Sequence, residues 1–272
     1  MKSVVIIPAR MAATRFPGKP LAKIAEVSMI AHCYFRAKMA KFVNEVYVAT
    51  CDQEIADEIY HLNGKVIMTS SEHERASDRT AEALKKFETN ENKKIDVVVM
   101  LQGDEPLINP HCLDLLIQHH EKYPEISVSN LIQNISDEDD FHHVNTVKVL
   151  TNLRGEILIF SREAIPSPRL KGLSGYKPKK QLGVISFKRD ALIDFYQLEP
   201  TPLEKIESID MLRFLEHGKS VMEVLTDSIM QGVDTIEDAK KVEPFIIMDP
   251  LYQQYKSSYM KLKSNISCMN CE

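Results

Sequence analysis

The chain contains no apolar run approaching the ~18 residues that span a bilayer, and Met1-Lys2 leads straight into a short strand-like stretch, without the longer apolar region and cleavage site of a signal peptide. The expectation is a cytoplasmic protein that does not enter a membrane. There is no G-x-G-x-x-G motif. A P-loop is excluded as well, because the glycine five residues before Gly18-Lys19 is missing and Pro20 stands where Ser or Thr would hold magnesium. Cysteine is sparse and odd in number, with five residues at 33, 51, 112, 268 and 271, which suits reduced thiols. Cys268 and Cys271 supply only half a zinc site, and that tail reads as frayed. No excess of positive charge is present: the net charge of −5 argues against broad nucleic-acid or anionic-membrane binding. Any basic cluster is therefore a local site for a small anion.

Short Val- and Ile-rich runs at 3–7, 45–49, 65–68 and 96–101 lack polar alternation, as strands buried on both faces of a parallel sheet do. Helical patterns near 28–41, 53–62 and 78–88 lie between them, so the first hundred residues read as doubly wound. A helix follows Pro110, and 146–151 with 156–161 flank a turn and read as a hairpin. Residues 166–180 form a Pro-, Gly- and cation-rich loop. Further on come a strand at 182–187, helices near 190–197 and 203–217, a strand at 220–225 and a last helix capped by Thr235. The paired histidines 119–120 and 142–143 read as surface residues.

Ligands in open α/β sheets gather outside the carboxyl ends of the strands, and three loops there carry chemistry. Residues 9–21 combine Arg10, Arg15 and Lys19 with Gly18 and small side chains, a cradle for phosphate. "LQGDEPLI" (101–108) places Gln102, Gly103, Asp104 and Glu105 at the end of the most apolar strand, where a carboxylate suits a hard cation. "QGVDT" (231–235) offers Asp234 in the same kind of position. Magnesium takes one or two protein carboxylates and fills its other sites with water and phosphate oxygens. Asp104 plus Asp234 therefore suffice for a magnesium-dependent nucleotide site.

The combination "IIPAR…TRFPGKPL", "LQGDEPLI", "VKVL…ILIFSREAIP" and "GVDT" resembles the 3-deoxy-manno-octulosonate (Kdo) cytidylyltransferases, from about Ser3 to about Val242. That resemblance implies a three-layer α/β architecture with a mostly parallel central sheet. This is a GT-A-like nucleotide-diphospho-sugar transferase fold, with a smaller mixed region near 140–215 for sugar binding and dimerisation. It implies one nucleotidyltransferase domain over 1–244 with a C-terminal extension at 245–272, a homodimer, CTP and an ulosonic acid as substrates, magnesium, and a role in lipopolysaccharide synthesis. Carried over by position, Arg10, Arg15 and Lys19 hold the CTP phosphates, with Arg15 and Lys19 catalytic alongside the magnesium ligands Asp104 and Asp234. Ser77, Arg79, Gln102 and Gly103 border the nucleotide. In that loop, "RASDR", Ala76 stands where the family has glycine.

Arg162, Gln181, Asp210 and Met211 fall on the sugar side. There the chain departs from the family: Gln181 replaces a histidine, Asp210 shortens a glutamate and Met211 replaces a glutamine. Losing a group that grips a sugar hydroxyl costs about 1–3 kcal/mol when its partner stays unpaired. A variant ulosonic acid, such as an 8-amino or sialic-acid-like sugar, stays open as the acceptor. So does a nucleotide-binding homologue without turnover. An enzyme acting on sugar 1-phosphates is disfavoured, since the first loop has Gly18 alone where a Gly-rich loop is expected.

Overall fold

A computed structural model describes residues 1–12, 16–169, 172–173 and 175–269, the side chains from 265 onward excepted. In chain order, β1 (Ser3–Pro8) is followed by a 3-10 turn (Lys19–Leu21) and a small hairpin of β2 (Lys23–Ile24) and β3 (Val27–Ser28). Next come α1 (Met29–Lys38), β4 (Glu45–Thr50), α2 (Gln53–His61), β5 (Val66–Met68), α3 (Ala76–Glu91) and β6 (Val97–Leu101). The middle third holds α4 (Pro110–Lys122), β7 (Val128–Asn134), α5 (Glu138–His142), β8 (Lys148–Thr151), β9 (Ile157–Ser161) and β10 (Lys179–Lys188). The chain closes with α6 (Arg189–Gln197), α7 (Pro202–Glu207), α8 (Met211–Glu216), β11 (Met222–Thr226), α9 (Ile236–Met248) and α10 (Pro250–Met269).

The main sheet runs β11-β7-β10-β6-β1-β4-β5, with the β8–β9 hairpin joined to β10. Along that path β10 alone runs antiparallel to its neighbours. The carboxyl ends of β1, β6 and β11 consequently share one edge, where the three sequence-marked loops emerge.

Alternation across the pleat explains the unbroken apolar runs. Val5, Ile7, Val46, Val48, Val97 and Val99 feed one core beneath α1, α2 and α4, whereas Val4, Ile6, Tyr47, Ala49, Val98 and Met100 feed the other beneath α3 and α6. A strand buried on both faces has no polar side to show.

Several readings from the sequence need correction. The helix expected over 203–217 is two, α7 and α8, because Ser208 adopts the left-handed region (φ 55) and ends the first. The helix expected near 78–88 is longer, α3 running from Ala76 through Glu91. Ahead of the tail that bears Cys268 and Cys271, α10 packs Tyr252, Tyr255 and Tyr259 into the first core. Cys271 lies outside the described residues. His120 is buried rather than on the surface, its Nε2 bonded to Ser186 Oγ at 2.9 Å. His142 and His143 are exposed as expected.

His120 and His32 are both uncharged in the fold. Burial pulls each down to about 4, against the raising effect of the carbonyls they bond, Ile126 for His120 and Ile24 for His32. In the unfolded chain both titrate near the ordinary 6.5. Between about pH 6.5 and 4 the unfolded state therefore binds more protons, so stability present above 6.5 is lost as pH falls through that window. The two groups should together cost about 4 kcal/mol of unfolding free energy between pH 7 and pH 5. Urea melts at the two values would measure the difference.

Candidate active site

The first loop leaves β1 and turns back through Gly18, whose φ of 70 lies in the left-handed region that glycine enters without strain. That turn delivers Lys19 on the short 3-10 segment, its base secured by Ala22 N–H bonds to Gly18 O (3.1 Å) and Lys19 O (3.2 Å). Arg10 is exposed at the mouth of the same loop. Arg15 falls outside the described residues.

Lys19 reaches two carboxylates at once. Its Nζ lies 2.7 Å from Asp104 Oδ2 and 3.2 Å from Asp234 Oδ1, joining residues distant in the chain. Burial lowers the lysine's affinity for its proton, but the charges and hydrogen bonds of Asp104 and Asp234 outweigh that and raise its pKa overall. The ammonium is thus a resident cation between two acidic groups.

The loop bearing Asp234 starts from β11, separated from β6 by two strands, and is pinned beside Asp104 by Val233 N–H donating to Asp104 O at 2.9 Å. Thr235 and Asp238 form a capping box that starts α9, and Asp238 Oδ2 also accepts from the Asp234 N–H at 3.1 Å. Gly103 is required here by close approach. A Cβ at that position would meet Ile30 Cδ1 at 3.0 Å and Pro8 O at 3.2 Å.

Strand β10 bulges where it passes this loop, its register shifting between Gln181 and Ile185. Glu105 fills the gap: its Oε1 accepts the Gly183 N–H at 2.9 Å, while Gly183 O accepts Gln102 N–H at 2.8 Å. Burial, then the charge of Asp104, pushes the Glu105 carboxyl up to about 7, and among the described residues its Oε2 has no partner. The sequence signal for Glu105 was its place in "QGDEP", yet an apolar-strand end gives no hint that its side chain turns inward.

Two clefts meet at the carboxylates. One, of about 330 Å³, is bordered by Arg10, Lys19, Arg75, Arg79 and Gly103; the other, of about 380 Å³, by Arg162, Gln181, Asp210 and Met211. Gln102, Asp104 and Asp234 belong to both. The basic loop thus lies on one side of the acidic pair and the sugar-side candidates on the other.

Not every candidate points into open space. Arg79 is buried and donates to Thr69 Oγ1 (2.5 Å), Ser70 O (3.1 Å) and His73 O (3.3 Å), so it shapes the loop bordering the first cleft. Ser77 Oγ is bonded to Asp210 Oδ2 at 2.6 Å, which ties a nucleotide-side candidate to a sugar-side one. Arg162 donates to Glu207 O (2.6 Å), Val144 O (3.0 Å) and Ser208 O (3.3 Å), using part of a five-donor guanidinium. Gln181 Nε2 donates to Asn130 Oδ1 at 2.6 Å, and Met211 is fully buried. Arg75, which the sequence did not single out, borders the first cleft and donates to Ser208 Oγ at 2.8 Å.

Magnesium fits this donor set. Two hard carboxylates converge on one cation, and the remaining positions would fall to water and phosphate oxygens. Among the described residues no group of three or more His, Cys, Asp or Glu side chains that could hold a metal ion is present.

Comparison with known proteins agrees with this geometry. A family model described as "Cytidylyltransferase" matches residues 4–221. The 3-deoxy-manno-octulosonate cytidylyltransferase of Thermodesulfovibrio yellowstonii is 40% identical over 249 residues, covering 89% of this chain and 97% of that protein. Its counterpart in Flavobacterium johnsoniae is 36% identical, covering 90% and 99%. The solved structure of CMP:2-keto-3-deoxy-manno-octonic acid synthetase complexed with CTP superposes with a TM-score of 0.82 at 34% identity, over 91% of this chain and 99% of that one. The central sheet is accordingly that of the nucleotide-diphospho-sugar transferase fold. Sequence and structure together show that the chain belongs to the cytidylyltransferase family, among the 3-deoxy-manno-octulosonate cytidylyltransferases.

Proposed function

We propose that this protein couples CTP to 3-deoxy-manno-octulosonate, giving CMP-Kdo and pyrophosphate for lipopolysaccharide synthesis. The observation that carries the reading is the acidic pair Asp104 and Asp234 at the junction of a basic cleft and a polar one. The relatives named for this reaction supply the identity of the substrates.

In the reaction the anomeric hydroxyl of the sugar attacks the α-phosphorus of CTP. A new P–O bond forms, the bond to the β-phosphate bridge breaks with its electron pair leaving on pyrophosphate, and the hydroxyl proton is released. Phosphoryl chemistry of this kind asks the protein mainly for positioning and charge neutralisation. Arg10 and Lys19, with Arg15 expected beside them, meet the triphosphate from the strand-end loop. Lys19, protonated and partly shielded from water, is placed to neutralise the departing pyrophosphate. Gly103 lets the β6 loop approach closely, and Gln102 stands between the two substrates.

Asp104 and Asp234 would hold magnesium, which when bound supplies a hard positive charge to the phosphate oxygens. With the carboxylates so engaged, Lys19 would turn its ammonium from them to a phosphate oxygen. On the sugar side, the remaining guanidinium N–H groups of Arg162 suit a carboxylate, the group that marks an ulosonic acid.

A homodimer and a cytoplasmic location complete the reading. Leu158, Ile206, Leu225 and Ile229 are exposed apolar side chains around the mixed region, in keeping with an interface there. Among the described residues no helix is long and apolar enough to cross a membrane. Light scattering of the purified chain should give twice the chain mass.

Replacing Asp104 by Asn should lower kcat by about 10²–10³-fold while the far-UV spectrum and melting curve stay those of a folded protein. Pyrophosphate release is the assay, run with CTP and Kdo beside an 8-amino analogue and a sialic acid. Chelation with EDTA should stop turnover and added magnesium restore it; an enzyme indifferent to chelator would contradict the metal role of the acidic pair. Arg162→Lys should raise KM for the sugar by about tenfold or more and leave KM for CTP near its starting value. An equal rise in both would show that Arg162 acts through the fold.

A further inference from the structure

The Thermodesulfovibrio relative is matched over 97% of its length, yet roughly a tenth of this chain has no counterpart in it. The family model begins at residue 4 and ends at 221, so α10 lies beyond the part of the chain that it matches. This helix is docked. Tyr252, Tyr255 and Tyr259, spaced to share one helical face, are each 2% exposed. The Tyr255 ring stacks on Phe35 of α1 with centroids 5.4 Å apart, and Asp249, just ahead of α10, pairs with the buried Arg36 at 2.7 Å.

What α10 grips is the β2–β3 hairpin. Its turn residues, Ala25 (φ 48) and Glu26 (φ 73), are both non-glycine residues in the left-handed region, a conformation that persists only when the surroundings over-determine it. Tyr252 Oη–H donates to Ala25 O, and Glu243 of α9 accepts the Ala25 N–H at 2.8 Å. Lys256 pairs with Glu26 at 2.5 Å. His32 Nε2 lies 2.8 Å from Ile24 O, an acceptor, so that nitrogen carries the proton. Its Nδ1 must then accept, and Tyr255 Oη–H donates to it at 2.5 Å. Two tyrosines of α10 thus hold two successive carbonyls of the hairpin, one directly and one through His32.

The hairpin is continuous with the turn that presents Lys19. Ala22 ties the two: its N–H bonds back to Gly18 and Lys19, and its carbonyl accepts the Met29 N–H at 2.9 Å. We propose that Tyr252 and Tyr255 are positioning residues for Lys19, α10 acting as a brace that fixes the hairpin turn and through it the triphosphate-binding loop. This inference rests on the reading that Lys19 meets the CTP phosphates.

The test removes tyrosine hydroxyls from the full-length protein. KM for CTP and for Kdo are measured by pyrophosphate release, and CTP affinity by calorimetry. Tyr252→Phe combined with Tyr255→Phe should raise KM and Kd for CTP about tenfold and leave KM for Kdo within about twofold. Tyr259→Phe is the comparison: equally buried on the same helix, it bonds Glu58 of α2 at 3.2 Å, which accepts from Ser28 Oγ at the far end of β3 (2.7 Å), rather than the turn carbonyls that Tyr252 and His32 hold. It should lower the melting temperature to a similar extent with CTP binding unchanged. If the three hydroxyl deletions alter CTP binding alike, or not at all, the brace is refuted. A chain ending at Asp249 that folds and binds CTP as tightly as the full protein refutes it too. A wild-type protein that binds CTP but releases no pyrophosphate with any ulosonic acid counts against the proposed reaction instead, and the brace is then read from Kd alone.

Discussion

The site is organised by an ammonium held between two carboxylates contributed by separate parts of the chain. Neither acid is placed by its own strand alone. Asp104 leaves β6 at the centre of the sheet, whereas Asp234 is brought across two intervening strands and locked to the Asp104 carbonyl by its neighbour Val233. Bringing like charges together is unfavourable in a partly buried setting, and Lys19 offsets it with a positive charge already in position. The rest of the local architecture serves that triangle: Gly103 for closeness, Glu105 behind it, the Thr235 cap that starts α9 beside it.

Glu105 shows how the mixed sheet accommodates a polar centre. Reversing β10 within an otherwise parallel path exposes Gly183 to the β6 loop, and the bulge at that point lets a carboxyl take over a backbone donor that the ladder has released. Asn130 Nδ2 covers the neighbouring carbonyls of Leu182 and Val184, so the break in pairing leaves those groups satisfied. A strand interrupted next to the chemistry is thereby kept from fraying.

Much of this was readable from residues alone, for physical reasons. β1, β4 and β6 announce themselves because burial on both faces demands Val and Ile without interruption, and the strand-end rule then draws attention to Lys19, Asp104 and Asp234. The division of α7 from α8 was hidden, since Ser208 carries no sign of its left-handed backbone. The docking of α10 was hidden too. Its buried face is made of tyrosines whose hydroxyls find partners only in the folded molecule, so its sequence looks too polar to belong to a core. Arg79 borders the first cleft, but which groups its side chain and that of Ser77 bond depends on contacts that no local pattern encodes.

The segment from Arg75 to Asp78 is fastened to the sugar-side helices at three points: Arg75 to Ser208, Ser77 to Asp210, and Asp78 to Arg213, which is itself paired with the buried Glu204 at 2.6 Å. A change of side chain at position 210 therefore also removes a partner of Ser77 at the start of α3. The two clefts are thereby coupled mechanically: displacing the Asp210 end pulls on the backbone that borders the other cleft at Arg75 and Ala76.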